Sequence, residues 1–415
     1  MWSPAGRIQV PQTLQEVVRI DRAGEASSEA LGLKADAAER VWARVERLYR
    51  TGVHPAIALC VRRGGQVVLN RSIGHARGNG PGESGLPAEV CTPDTPFCIF
   101  SASKAVTAVV IHLLDDRGVL HVDDRVAEYI PEFAGAGRGH VTLRHVLCHR
   151  AGLPSLEGHT DLDLLADPGA ILRILSTAKP RSRAGRQLAY HAITGGFILG
   201  EVVKRATGKD IRQVLHDEIL EPLGFEGMNY GLPERDYGRV AVNHFTGRAL
   251  PPGLDRVAKR ALGVSFEQAA AYSNDPRWMR AIVPSGNVFS TANELSRFFE
   301  LLLRGGELDG HRVLESRTVR RCRTETSYLE MDFTLGVPVR YGIGMMLGDR
   351  WVSPFGIDTR RAFGHLGFIN CFGWADPARD ISVGLLTSGK PAVSRHLVPL
   401  MGVLNGIGRY FPKVA

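Results

Sequence analysis

The stretch Phe97–Leu120, FCIFSASKAVTAVVIHLLDDRGVL, constrains the chain more than any other. A short apolar run from Phe97 to Phe100 reaches Ser101, and a helical pattern follows at once. Val106, Val109, Val110, Leu113 and Leu114 recur at helical spacing, and Gly118 supplies the stop. Ser101 and Lys104 therefore share a face of the first turn. A hydroxyl becomes a nucleophile only when a nearby base takes its proton. Lysine serves as that base if burial and the positive end of a helix lower its pKa. The same helix start offers a backbone N–H to an oxyanion. On spacing alone the pair reads equally well as a helix N-cap beside a solvated lysine. A second Ser-x-x-Lys, Ser176 to Lys179, is followed by Pro180, so its serine falls near the end of a helical run and is read as accidental.

A chain of 415 residues can bury a large core, and the expectation is one compact unit with two lobes. The formal charge is +8, from 51 basic and 43 acidic residues. The basic residues are scattered apart from Arg181–Arg186 and Arg320–Arg323, with no interleaved aromatics. That pattern argues against nucleic acid as a partner and leaves a weak preference for anionic surfaces. The opening MWSPAGRIQVPQTL has no apolar core of signal-peptide length, and no uninterrupted membrane-spanning run occurs. A cytoplasmic protein is expected, with peripheral membrane association and a homo-oligomer left open. Cys60, Cys91, Cys98, Cys148, Cys322 and Cys371 are dispersed without CxxC pairs, which fits reduced thiols.

Residues 1–35 read as a polar leader and 36–415 as one domain. Asp36–Tyr49 is predicted as an amphipathic helix, followed by a hairpin of Ala56–Val61 and Gln66–Ser72. The glycine-rich Gly74–Gly85 lacks a phosphate-loop ending and is read as a mobile loop. Helical pattern dominates to about Leu223. Residues 246–283, rich in Pro, Ala and Arg, look like an insertion that walls or covers a pocket. A helix is expected over Ser290–Leu303, strands over Arg340–Met346, Arg361–Asn370, Cys371–Ala375 and Ile381–Thr387, and a closing helix over Leu397–Phe411. The predicted fold is mixed α/β (α+β): a mainly antiparallel sheet from both chain ends (about 36–100 and 290–415), flanked by helices, with a helical lobe inserted over about 101–289.

Two further stretches can complete a site with Ser101 and Lys104. Tyr190, in a turn before a predicted helix, would be a phenolate base or proton relay if a cationic lysine lowered its pKa, although tyrosine is more often a packing residue. Gly364-His365-Leu366-Gly367-Phe368 has small residues that let the backbone of an edge strand approach a bound ester or amide. His145, Cys148 and His149 have metal-ligand spacing but no further ligand set, so no metal site is expected.

Together these stretches resemble the serine β-lactamase and penicillin-binding protein family, closest to its class C branch and to the family VIII carboxylesterases, including a mycobacterial esterase/lipase group. The likeness spans about Pro55 to Leu386. It is carried, in family order, by FSASK at 100–104, DDRVAEYIPEF at 123–133, VTLRHVLCHRAGLP at 141–154, YHAITGGFILGEVVKRATGKD at 190–210, VPSGNVFSTANELSRF at 283–298 and FGHLGFINCFGWADP at 363–377. The resemblance implies Ser101 as acylated nucleophile, Lys104 as its base and Tyr190 as proton carrier. It implies an oxyanion hole from the N–H groups of Ser101 and Phe368, and neither metal nor organic cofactor. Two positions depart from the lactamase pattern: Ala192 stands where class C enzymes carry asparagine, and His365-Leu366-Gly367 replaces Lys-Thr-Gly. Both remove contacts suited to β-lactams. The expected activity is therefore a serine carboxylesterase or lipase (EC 3.1.1 type) acting on short to medium acyl esters, small-molecule substrates. The alternatives are a β-lactamase or D-amino peptidase, an acyltransferase, and a non-catalytic binding homologue.

Overall fold

The computed structural model describes residues 7–153, 155–156, 161–247, 253, 255–256, 259, 262–368, 370–392 and 394–414. Its spine is an antiparallel sheet of β1 (Val18–Ile20), β2 (Ala56–Arg63), β3 (Gln66–Arg77), β4 (Ser327–Asp332), β5 (Val337–Tyr341), β6 (Met346–Leu347), β7 (Phe363–Gly367), β8 (Cys371–Asp376) and β9 (Ile381–Thr387). The spatial order is β1-β3-β2-β9-β8-β7-β6-β5-β4. The two ends of the chain meet where β9 pairs with β2, Ile381 opposite Arg63 and Thr387 opposite Ile57. The mixed α/β fold expected from the sequence is the fold observed.

Strand alternation explains the layers. Ile57, Leu59 and Val61 of β2, with Val383 and Leu385 of β9, point to one face. There they bury α1 (Ala37–Tyr49) and the closing helix Leu397–Tyr410, through Val41, Val45, Val403 and Ile407. The opposite face is lined by small residues, Ala56, Ala58 and Cys60. A helix over Ala292–Leu303 lies directly on it, capped by Thr291, whose Oγ1 accepts the Glu294 N–H at 3.1 Å. A β-carbon on Gly384 would sit 2.3 Å from the Ala292 carbonyl oxygen, and one on Gly373 would sit 2.4 Å from the Phe299 ring. Glycine sets how close this helix can come.

The inserted lobe is built around a second helix, Ser103–Asp116, buried on every side from Ala105 to Leu114. It packs beside the helix Thr194–Thr207, and Gly118 closes it at φ +68°. Among the described residues no helix is long and apolar enough to cross a membrane.

The structure differs from expectation in several places, and the run Arg340–Met346, expected as one strand, is divided between β5, which ends at Tyr341, and β6, which starts at Met346. Residues 7–35, read as a polar leader, take part in the sheet and its packing: Val18–Ile20 pairs with β3, and Ile8, Leu14, Val17 and Leu33 are buried in the cluster that includes α1. Apolar residues this sparse form no periodic pattern. The run Gly74–Arg77 continues β3 and is not loop. The sheet also extends through β4, whose mixed sequence SYLEMD, without alternation, gave no strand signal.

Gly384→Val should lift the Ala292–Leu303 helix from the sheet and destabilise the protein by at least ~1–3 kcal/mol in urea unfolding. An unchanged midpoint would refute the close packing.

Candidate active site

The segment before Ser101 is pinned from two sides. Phe97–Cys98 pairs with Phe289–Ser290, and the Ile99 N–H donates to the Val288 carbonyl at 2.9 Å. The Val288 N–H donates to the Ser103 hydroxyl at 3.0 Å. Between these anchors Phe100 takes φ +47°, the left-handed region that a side chain rarely occupies. Ser101 therefore lies in a 3-10 turn, Phe100–Ala102, and the α-helix starts at Ser103, two residues later than the sequence pattern suggests. First-turn amides have no carbonyl partner within the helix.

Strand β7 runs against this turn. A β-carbon on Gly367 would lie 2.0 Å from the Ile99 carbonyl oxygen and 3.2 Å from the Ala102 nitrogen. Only glycine allows that approach. The strand is not an edge strand at its start, because β6 pairs with Phe363 and Gly364. From His365 onward β6 has ended, so His365–Gly367 has a free edge beside Ser101. Gly364 packs against β8, where a β-carbon would meet the Gly373 carbonyl oxygen at 2.1 Å.

Lys104 reaches back from the helix to Ser101. Its Nζ is 3.1 Å from Ser101 Oγ, 2.7 Å from the Ala192 carbonyl and 2.8 Å from the Ser285 carbonyl. Among the described residues no carboxylate pairs with it. Part of the side chain is open to the cleft, but the amine lies in the site floor, and burial holds its pKa well below the ordinary lysine value. With two carbonyls taking N–H bonds, the third position of the amine faces the Ser101 hydroxyl.

Tyr190 completes the cluster. It lies near enough to Ser101 for that side chain to oppose the rise in its phenol pKa, and the Lys104 amine sits 4.9 Å from its ring centre. Burial pushes the phenol pKa up, opposite to the lowering expected from a cationic lysine. Tyr190 is thus held protonated and not as a resident phenolate. Asp332 positions it: one carboxylate oxygen accepts the N–H groups of Tyr190, Thr334 and Leu335 at 3.1, 2.8 and 2.9 Å. His149 (φ +58°) packs its ring 4.6 Å from that of Tyr190 and accepts the His191 N–H on Nδ1 at 3.2 Å.

His365 is buried, and its Nδ1–H donates to the Leu366 carbonyl at 2.8 Å. Burial, aided by Lys104, lowers its pKa to about 3. It offers no positive charge to a substrate carboxylate at neutral pH. Phe368 follows it, its ring 5.2 Å from Phe100 and 5.0 Å, edge-on, from Phe266 of the 246–283 segment. Leu250, Leu254 and Val257 of that segment, expected as part of the same wall, lie outside the described residues.

The other candidates go elsewhere. Ser176 is in the last turn of a helix ending at Thr177, and Lys179 lies beyond it. His145 caps its own helix through Thr142, Cys148 faces the Gly342 carbonyl and His149 faces Tyr190. Ser285, Asp332 and His149 were missed as site residues. Ser285 lies in the VPSGN run that carried the resemblance, whereas nothing in sequence marks Asp332.

A sheet from both chain ends with a Ser-x-x-Lys turn at the lobe boundary defines a class, and comparison agrees. The sequence model of the family described as Beta-lactamase matches residues 43–400, and the chain belongs to that family of serine hydrolases. It is 34% identical over 307 residues (71% of this chain, 69% of the relative) to "Esterase/beta-lactamase LipL" of Mycobacterium tuberculosis (strain ATCC 25618 / H37Rv). Among solved structures, a penicillin-binding protein homolog from Caulobacter crescentus superposes with TM-score 0.76 at 27% identity, covering 89% of this chain and 97% of the other. A family VIII carboxylesterase gives TM-score 0.76 at 25% identity, covering 90% and 98%.

The buried histidines make an acid-sensitivity prediction. Burial lowers His191 and His365 to about 3, and His112 and His396 to about 4. Below about pH 6.5 the unfolded chain binds protons that the folded one refuses, so stability falls as pH drops through that window. Each such histidine costs about 1.4 kcal/mol per pH unit there. Urea midpoints at pH 7, 6 and 5 should fall steeply, and a flat profile would contradict neutral burial.

Proposed function

We propose that the chain is a serine carboxylesterase that cleaves short to medium acyl esters through an acyl-enzyme on Ser101. The observation that carries this reading is the Lys104 amine, held by two carbonyls with its remaining position on the Ser101 hydroxyl. As a neutral amine it donates two N–H bonds to the carbonyls and presents its lone pair to the Ser101 proton.

In this account Ser101 Oγ attacks the ester carbonyl while its proton passes to Lys104. The developing oxyanion takes hydrogen bonds from the N–H groups of Ser101 and Phe368. Tyr190, protonated and beside Ser101, hands a proton to the departing alkoxide and is recharged from Lys104. Water then attacks the acyl carbonyl along the same proton route, releasing the acid. Asp332 acts through Tyr190 and is a positioning residue.

Ester over β-lactam is favoured by what faces the nucleophile. Ala192 offers its carbonyl to Lys104 and has no side-chain amide for a substrate. His365 is neutral. The aromatic rings of Phe100, Phe368 and Phe266 supply apolar surface beside the proposed oxyanion position. The name of the family VIII carboxylesterase carries ester hydrolysis, which supports the same reading, whereas that of LipL carries both esterase and beta-lactamase.

Two experiments test it. Lys104→Ala and Tyr190→Phe should each cost about a hundredfold or more in kcat on p-nitrophenyl butyrate, and the double variant should be little worse than the poorer single. Additive losses would show independent roles. Cephalosporin turnover should be slow or absent beside clear ester turnover, and Phe266→Ala should shift the acyl-length optimum more than it changes turnover of p-nitrophenyl acetate. Efficient cephalosporin hydrolysis with poor ester use would overturn the ester assignment.

A further inference from the structure

Seven of the fourteen large apolar side chains exposed among the described residues are gathered at one end of the sheet. Tyr328 (65% exposed), Phe333 (67%) and Val337 belong to the β4–β5 hairpin, and Trp351 (69%) and Val352 (80%) to the following loop. Residues Tyr328 to Met331 are exposed or half-exposed on both faces, so the hairpin is no sheet face awaiting a helix. Hairpin and loop are joined by contact. The Arg340 guanidinium lies over the Tyr328 ring at 5.2 Å and pairs with Asp349, which accepts the Trp351 N–H at 3.1 Å.

Charge on this end is one-sided. Glu325 and Asp349 are both paired to Arg340, Glu330 to Arg150, and Asp358 to Lys413 and Arg379. Arg350, Arg360 and Arg361 pair with no carboxylate among the described residues. With Lys413 they line a cleft of about 480 Å³ whose one carboxylate is the already paired Asp358. Arg350 links the cleft to the apolar loop, its guanidinium 4.8 Å from the Trp351 ring centre.

We propose that this end docks onto a bilayer containing anionic phospholipid, with the hairpin tip and Trp351 in the interface and a lipid phosphate in the arginine cleft. Apolar and aromatic side chains flanked by unpaired arginines are the chemistry of an interfacial membrane contact. A second copy of the chain fits less well. The edge ladder of β4 is broken by a bulge between Ser327 and Glu330, with Leu329 at φ +46°. A two-fold contact would also bring the same unpaired arginines together.

The docking end adjoins the site: Asp332 of β4 holds Tyr190, and the Phe333 N–H donates to the Leu188 carbonyl at 3.0 Å. A bilayer-borne ester would therefore enter beside Ser101. That consequence rests on the esterase reading, and the docking itself does not.

The test is sedimentation of the full chain with vesicles of phosphatidylcholine, with and without phosphatidylglycerol. Binding is expected to the mixed vesicles only, and added salt should release it. Arg350→Ala and Arg361→Ala should each weaken it about fivefold. Phe333→Asp with Trp351→Asp should abolish it while the urea unfolding midpoint stays at wild-type level, which shows the variant is folded. Ser101→Ala protein should sediment like wild type, so failure of the esterase reading leaves this test standing. Absence of binding to mixed vesicles, equal binding to pure phosphatidylcholine, or a dimer in light scattering that Phe333→Asp dissolves without any vesicle binding would each overturn the proposal.

Discussion

The site depends on one amine held in a floor of backbone carbonyls. Lys104 has no carboxylate partner among the described residues, and its contacts come from three separate segments: Ser101 in its own turn, Ala192 before the Thr194–Thr207 helix, and Ser285 before the strand Val288–Ser290. A cation there would be poorly solvated, so burial favours the neutral base. The same constraint draws the segments together. Gly196 has no room for a β-carbon, which would fall 2.4 Å from the Ser285 nitrogen. Ser285 in turn donates its hydroxyl to the Ile193 carbonyl at 3.0 Å.

The sheet supplies the other half of the geometry. Because its strands come from both chain ends, β7 lies beside the lobe that carries Ser101 although more than 260 residues separate them in sequence. The early end of β6 frees the backbone from His365 onward, and Gly367 lets that backbone touch the turn. The left-handed Phe100 is the local cost of bringing a strand directly into the nucleophile's turn, and the Val288 hydrogen bonds on either side hold it there.

How much of this was legible in sequence varies with the kind of signal. Helical periodicity and the glycine stop located the Ser103–Asp116 helix and put Ser101 and Lys104 on one face. The departures at Ala192 and His365 were visible as residue types, and a histidine near its reference value is already mostly neutral at pH 7, but the further lowering of the His365 pKa was not legible, because it arises from burial that a single sequence does not display. The rise in the Tyr190 pKa has the same origin. Backbone carbonyls carry no sequence signature, so the acceptors that orient Lys104 could not be named beforehand. Asp332 sits on an edge strand of mixed polar and apolar residues with no alternation, and β1 is only three residues long. Both are fixed by tertiary pairing and not by local pattern.

The account turns on Lys104 being a base at neutral pH, and its ionisation can be read directly. Lysine side chains labelled with nitrogen-15 can be titrated by NMR in the folded protein, with the Lys104 signal assigned by its loss in Lys104→Arg. The account predicts that Lys104 titrates well below the ordinary lysine value of about 10.4. A Lys104 that titrates with the exposed lysines, or above them, would contradict the proposed mechanism at its first step.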